Sequence, residues 1–306
     1  MKLPPFLKPG DTIGISATAR KITEPELQEF VKMIQDWGMK HVFAPGLFEQ
    51  NNQLAGDDDN RANGLQTLLN TTEVKAIVNA RGGYGSVRVV DKINWSVFKE
   101  NPKWICGFSD ITVLHAHIQA NCNTCSIHSP MAFNVNDINS NSDQFIALKN
   151  LLCGQMREYR FPIHPCNRAN QMQGQIIGGN LSVIYSLLGS SSLPDPSGKI
   201  LFLEDLDEYL YHVDRMMMAL KRSGYLKELK GLLVGGMSEM KDNAVAFGKS
   251  AEEIIVDVVS EYSYPVIFNF PAGHLPENYP FVLGQATHIF ADTKEMVFSQ
   301  LTPYND

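Results

Sequence analysis

The sequence predicts an α/β fold in two parts. A parallel-sheet α/β domain with a nucleophile elbow is expected over residues 1–155, and a smaller, β-rich α/β domain over 170–306. Three observations lead there. Apolar strand-like runs alternate with helical periods through the first half, the pattern of βαβ units. The pattern lapses over 152–173, where Pro162, Pro165, Asn167 and Asn170 fall in a stretch with no clear period, as in a linker. Beyond it, short strands become more frequent.

The elements follow in order. Thr12-Ile13-Gly14-Ile15-Ser16 is a short apolar strand ending in a small-residue loop. Thr23-Glu24-Pro25-Glu26 has the spacing of a capping box with proline in the first turn. Leu27, Phe30, Val31, Ile34 and Trp37 recur at helical spacing until Gly38. A second helix is expected over 59–69, and a buried-type strand over 74–79 that closes on Arg81-Gly82-Gly83-Tyr84-Gly85. A strand over 103–106 runs into Gly107-Phe108-Ser109-Asp110, and Ile111, Leu114, His115 and Ile118 mark the helix after it. In the second half, strands are expected at 175–177, 199–203, 231–234 and 266–268, with helices at 181–188, 209–221 and 251–261.

Composition narrows the function. The chain has 306 residues, 44% hydrophobic and 19% charged, so it is an ordinary globular sequence long enough to bury a substantial core. A formal net charge of −7 argues against broad nucleic-acid binding, yet leaves room for a local cationic cluster around a small anion. No apolar run approaches the roughly 18 residues of a membrane span. The opening Met1-Lys2-Leu3-Pro4-Pro5-Phe6 lacks the apolar core of a signal peptide, so a cytoplasmic location is expected. Five cysteines, an odd and sparse set, suit a reducing compartment. Cys122 and Cys125 have C-x-x-C spacing but no second ligand pair, so ordinary buried thiols are expected and no metal.

Five segments have the residue types for chemistry. A strand, a glycine turn, Ser109 and a helix form the layout of a nucleophile elbow, with Ile111 where G-x-S-x-G would place its second glycine. A helix N-cap is the other reading of Ser109. His274 in Pro271-Ala272-Gly273-His274 sits on a stiff loop and is the candidate base. Four apolar residues, Ile200 to Leu203, run into Glu204-Asp205 and place acids at the carboxyl end of a buried strand, where open α/β sheets build their sites. The glycines of Arg81–Gly85 match neither a P-loop nor G-x-G-x-x-G and indicate a close backbone approach. Gly178-Gly179-Asn180-Leu181 is similar, with Asn180 placed to cap a helix.

Six motifs in one order carry a resemblance: Arg81-Gly-Gly-Tyr-Gly85, Gly107-Phe-Ser109-Asp-Ile-Thr112, His128-Ser-Pro-Met131, Gly178-Gly-Asn180-Leu181, Leu203-Glu204-Asp205 and Pro271-Ala-Gly-His274. Together they resemble the LD-carboxypeptidase (muramoyltetrapeptide carboxypeptidase) family, whose relatives include the microcin C self-immunity hydrolases. The likeness implies a cytoplasmic serine peptidase with a Ser-His-Glu triad, acting without metal or cofactor on a small muropeptide in peptidoglycan recycling, and a homodimer. It implies Ser109 as nucleophile, His274 as base and Glu204 as the acid, although Asp205, Asp207 and Glu208 lie close by. The implied oxyanion hole uses the backbone N–H groups of Gly83 and Asp110. Recognition of a free carboxylate suits an arginine fork. Arg81 is the first candidate, with Arg88 and Arg215 as alternatives. Within the same family, hydrolysis of a peptidyl- or aminoacyl-nucleotide is the rival activity. From another class, a non-catalytic ligand-binding protein on the same fold is the rival.

Overall fold

The computed structural model describes residues 1–138, 142–156 and 158–300. Five parallel strands form most of a first sheet: β1 (Thr12–Ser16), β2 (Lys40–Phe43), β3 (Val74–Asn79), β4 (Trp104–Gly107) and β5 (Ser126–His128). β1, β3 and β4 read as apolar runs because helices cover both faces, whereas the edge strand β2 is half-exposed. The helix Glu24–Asp36 buries Leu27, Phe30, Met33 and Ile34, and the Glu26 carboxylate accepts hydrogen bonds from Thr23 N (2.8 Å) and Thr23 Oγ1 (2.7 Å) at its start. The expected capping box is therefore present.

The second half forms a mixed sheet. Its strands are β6 (Tyr159–Pro162), β7 (Gln171–Asn180), β8 (Ile200–Leu206), β9 (Gly231–Ser238), β10 (Val266–Ile267), β12 (Ala286–Ala291) and β13 (Glu295–Gln300). The order is β10-β9-β8-β7-β12-β13-β6, parallel from β10 to β7 and antiparallel from β7 to β6. The remaining strand, β11 (Phe281–Leu283), pairs antiparallel with β5 and completes the first sheet, whose order is β11-β5-β4-β3-β1-β2. A segment from the end of the chain thus finishes a sheet begun near its start.

Two segments differ from the sequence reading. The stretch expected to be linker contains β6, which pairs with β13. The strand expected at 175–177 extends back to Gln171, because Gln171–Gln175 faces one side of the sheet with Met172 and pairs with β12. A half-exposed strand made mostly of glutamines gives no apolar run to detect.

One apolar cluster spans both halves. Ile105, Ile111 and Leu114 from the first share it with Ile177, Leu181 and Leu201 from the second. The helix Thr112–His117 that follows Ser109 is buried at every position, against β7 and the helix Leu181–Ser186. Burial of this kind stabilises by about 25 cal/mol per Å². It fixes the carboxyl ends of β3, β4, β7 and β8 around a common cleft, which is where parallel sheets place their sites.

Candidate active site

The elbow comes first. Gly107 ends β4, and Ser109 adopts φ +61°, a left-handed conformation rare for a residue with a Cβ. A 3₁₀ turn, Ser109–Ile111, then leads into the helix Thr112–His117 and a π turn, Ile118–Cys122. Ile111 is tolerated in place of glycine because Gly107 leaves room: a Cβ on Gly107 would lie 2.9 Å from Ile111 Cγ1. The Gly107 carbonyl accepts hydrogen bonds from Ser129 N (3.1 Å) and His115 Nε2 (2.9 Å). Burial pushes the His115 imidazole down to about 4, so it stays neutral and donates from Nε2. Ser109 Oγ makes no hydrogen bond among the described residues, to a cap partner or to His274. The hydroxyl is available to a ligand.

The glycine loop meets this elbow. A Cβ built on Gly82 would sit 3.3 Å from Ser109 Cβ and 3.5 Å from its Oγ. The close approach expected from the glycines is therefore to Ser109. Gly83 has φ +110°, and a Cβ there would overlap the stem of Arg20. The Asp110 carboxylate holds the loop by accepting from Ser86 N at 2.8 Å, and Ser86 Oγ lies 2.7 Å from Thr18 Oγ1. Burial raises the Asp110 pKa against the hydrogen bonds that favour its charge.

Glu204 and His274 arrive from the second half of the chain. Strand alternation sends Glu204 and Asp205 to opposite faces of β8. Glu204 is fully buried, and its Oε2 accepts from His274 Nδ1 at 2.7 Å and from His274 N at 3.1 Å. Its Oε1 has no partner among the described residues. Gly273, at φ +107°, lets the loop cross so closely that a Cβ there would lie 2.6 Å from Glu204 Oε2. Burial pulls the His274 imidazole down, but the hydrogen bond and charge of Glu204 outweigh it and the net pKa is raised. Asp205 does not touch His274. Its carboxylate accepts from Asn180 Nδ2 (2.8 Å), Ser182 N (2.9 Å) and Leu206 N (2.9 Å). Burial, then the neighbouring Glu204 charge, push it up to about 7.

These parts line one cleft of about 570 Å³. Ser109, Asp110, Gly83, Arg81 and His274 all face it, with Glu204 behind the histidine. Arg88 and Arg215 lie elsewhere: Arg88 pairs with Asp58 at 2.7 Å, and Arg215 stacks 5.1 Å above the Tyr211 ring. Asn180 caps the helix Leu181–Ser186 as expected, accepting from Val183 N at 3.1 Å. Cys122 and Cys125 are free and buried.

Sequence reasoning missed Arg20, which lines the cleft, as does Glu208, named there only as an acid near Glu204. His128 donates from Nε2 to Asn278 Oδ1 at 3.1 Å, and that oxygen also accepts from Gly273 N at 2.9 Å, so β5 steadies the loop holding His274. Arg20 had a signal, its place just beyond the carboxyl end of β1. His128 stood in one of the six motifs, but its role depends on a partner 150 residues away, which the motif does not show.

A serine on a strained elbow, opposite a histidine held by a buried carboxylate, is the kind of arrangement that serine hydrolases use on unrelated folds. Comparison with known proteins narrows the class. Residues 13–129 match the LD-carboxypeptidase N-terminal domain and residues 173–289 the LD-carboxypeptidase C-terminal domain. A probable murein peptide carboxypeptidase of Bacillus subtilis is 31% identical over 276 residues, 89% of this chain and 86% of that protein. The muramoyltetrapeptide carboxypeptidase from Oxalobacter formigenes superposes with a TM-score of 0.84 at 24% identity, covering 94% of this chain and 98% of that one. The microcin C7 self immunity protein, solved in complex with aspartyl sulfamoyl adenosine, has the same fold, with a TM-score of 0.84 at 19% identity and 99% coverage of both chains. The chain belongs to the LD-carboxypeptidase family, a family of peptidases.

Proposed function

We propose that the protein is a serine-type LD-carboxypeptidase that releases the terminal D-alanine of murein tetrapeptides. One observation carries this reading: the strained Ser109 and the Glu204-held His274 share a cleft with the glycine loop. Ser109 Oγ attacks the carbonyl between the L-centre of the third residue and D-alanine, and His274 Nε2 takes its proton. Glu204 holds Nδ1–H and stabilises the imidazolium. The N–H groups of Gly83 and Asp110 receive the oxyanion, each lowering the barrier by ~3 kcal/mol. His274 returns the proton to the leaving amine, and water, activated by the same imidazole, then hydrolyses the acyl-enzyme. Arg81 contributes to the substrate-binding wall.

A cytoplasmic homodimer acting in peptidoglycan recycling fits this chemistry. No helix among the described residues is long and apolar enough to cross a membrane. The test is mass-spectrometric detection of D-alanine released from a defined L,D-tetrapeptide. Turnover by Ser109→Ala at the wild-type rate would reject the nucleophile.

The likeness to the microcin C7 self immunity protein supports a second reading, hydrolysis of an aminoacyl- or peptidyl-nucleotide. Against it, the segment after Glu204 places Leu206 and Glu208 in the cleft but none of its own aromatic rings, so the rings that line it are Phe108 and Phe133 of the first half. Assaying both substrates side by side separates the two.

A further inference from the structure

We infer that Arg20 is the group that binds the free C-terminal carboxylate of the substrate, a role not read from the sequence. The inference deepens the carboxypeptidase reading and rests on it for the identity of the ligand.

The argument is an accounting of charge in the cleft. Every other charged side chain that lines it is engaged by the protein. Arg81 lies 3.7 Å from Glu26 and stacks 4.1 Å above the Phe133 ring. Asp110 accepts from Ser86 N, and Asp205 from Asn180, Ser182 and Leu206. Glu208 is paired with His212 at 2.5 Å. Arg20 alone among them has neither a side-chain hydrogen bond nor an ion pair among the described residues, and it is exposed to the cleft. Its guanidinium is always charged, and its fork of donors matches a carboxylate.

Position agrees with chemistry. Arg20 is fixed beside the proposed oxyanion hole: its N–H donates to Gly82 O at 3.4 Å, and its Cγ and Cδ fill the space a Cβ on Gly83 would take. The stem is held, and the head group extends two bonds beyond Cδ. In the substrate, the terminal carboxylate carbon is three bonds from the reacting carbonyl carbon, about 4 Å away. A carbonyl oxygen at Gly83 N–H therefore brings the carboxylate within reach of the Arg20 head group. Glycine at position 83 is required twice, for its backbone angle and for the passage of this arginine.

The test measures binding in a Ser109→Ala background, so that no turnover intervenes. Calorimetry compares an L,D-tetrapeptide ending in a carboxylate with its C-terminal carboxamide. Charge-assisted hydrogen bonds of this type give a preference of roughly 10- to 100-fold for the carboxylate. Adding Arg20→Met abolishes that preference, and Arg20→Lys restores part of it. Adding Arg81→Met weakens both peptides alike and keeps it. A preference that survives Arg20→Met, or disappears with Arg81→Met alone, overturns the assignment. So does a loss of turnover in the single Arg20→Met variant with the binding preference intact, which would place Arg20 on the reacting oxygen instead. A wild-type protein that fails to release D-alanine, yet whose Ser109→Ala form shows the Arg20-dependent preference, refutes the reaction and supports the carboxylate site. Absence of binding by either peptide refutes both.

Discussion

Replacing Ser109 by glycine and by alanine should give two equally inactive proteins of unequal stability. At φ +61° any residue with a Cβ is held in the left-handed region, at ~1–2 kcal/mol. Alanine keeps that strain, and since Ser109 Oγ has no hydrogen bond to lose among the described residues, Ser109→Ala should match wild-type stability within about 0.5 kcal/mol. Glycine relieves the strain. It returns roughly 0.4–1 kcal/mol through the greater freedom of its unfolded chain. The remainder makes Ser109→Gly more stable than Ser109→Ala by about 0.5–1 kcal/mol, or ~2 °C in Tm for a chain of this size. Parallel urea and thermal unfolding of the two variants measures the difference, with D-alanine release confirming that neither turns over. If Ser109→Gly proves equal to or less stable than Ser109→Ala, the elbow is not strained and the account of how the hydroxyl is presented fails.

Three further expectations come from the same site. Glu204→Gln should lower kcat by about 10⁴-fold through loss of imidazole orientation and charge, whereas Asp205→Asn, whose side chain does not touch His274, should keep kcat within tenfold; equal losses would show that Glu204 is not the orienting acid. Since the base must be neutral and Glu204 raises the His274 pKa, the acid limb of kcat/KM should lie above 6.5 in the wild type. In Glu204→Gln only the Asp205 charge still opposes burial, so any residual activity should show that limb at lower pH than in the wild type, and a limb that does not move would assign it to another group. Gly273→Ala drives a methyl group against Glu204 at a positive φ, so it should cost about 1–3 kcal/mol of stability and at least 100-fold in kcat, read by urea unfolding and D-alanine release.

The sequence signals that succeeded were local ones. A buried strand, a glycine and a serine announce an elbow within six residues, and an apolar run ending in two acids announces the carboxyl end of β8. Choosing Glu204 over Asp205 needed the strand's alternation and the distant loop that crosses it. The arginines show the limit more sharply. Arg81, Arg88 and Arg215 look alike in sequence, and what separates them is Glu26, Asp58 and Tyr211, supplied by the fold. Arg20 lies in a polar loop without period, and its significance depends on Gly83, which folding brings beneath it. The short strands β6 and β11 were illegible for a related reason. Each is stabilised by a partner far along the chain, which no local window contains.

The pairing of β11 with β5 also orders events during synthesis. All five parallel strands of the first sheet have been made once residue 128 is reached, but the edge of β5 stays open until Leu283 emerges. An open edge with unpaired N–H and C=O groups invites association with other chains, so translation carries the nascent protein through an interval of exposure about 150 residues long. The same late segment brings His274, nine residues before the end of β11. Ser109 is thus made early, and the strand that seals the first sheet arrives together with His274, the base proposed to arm it.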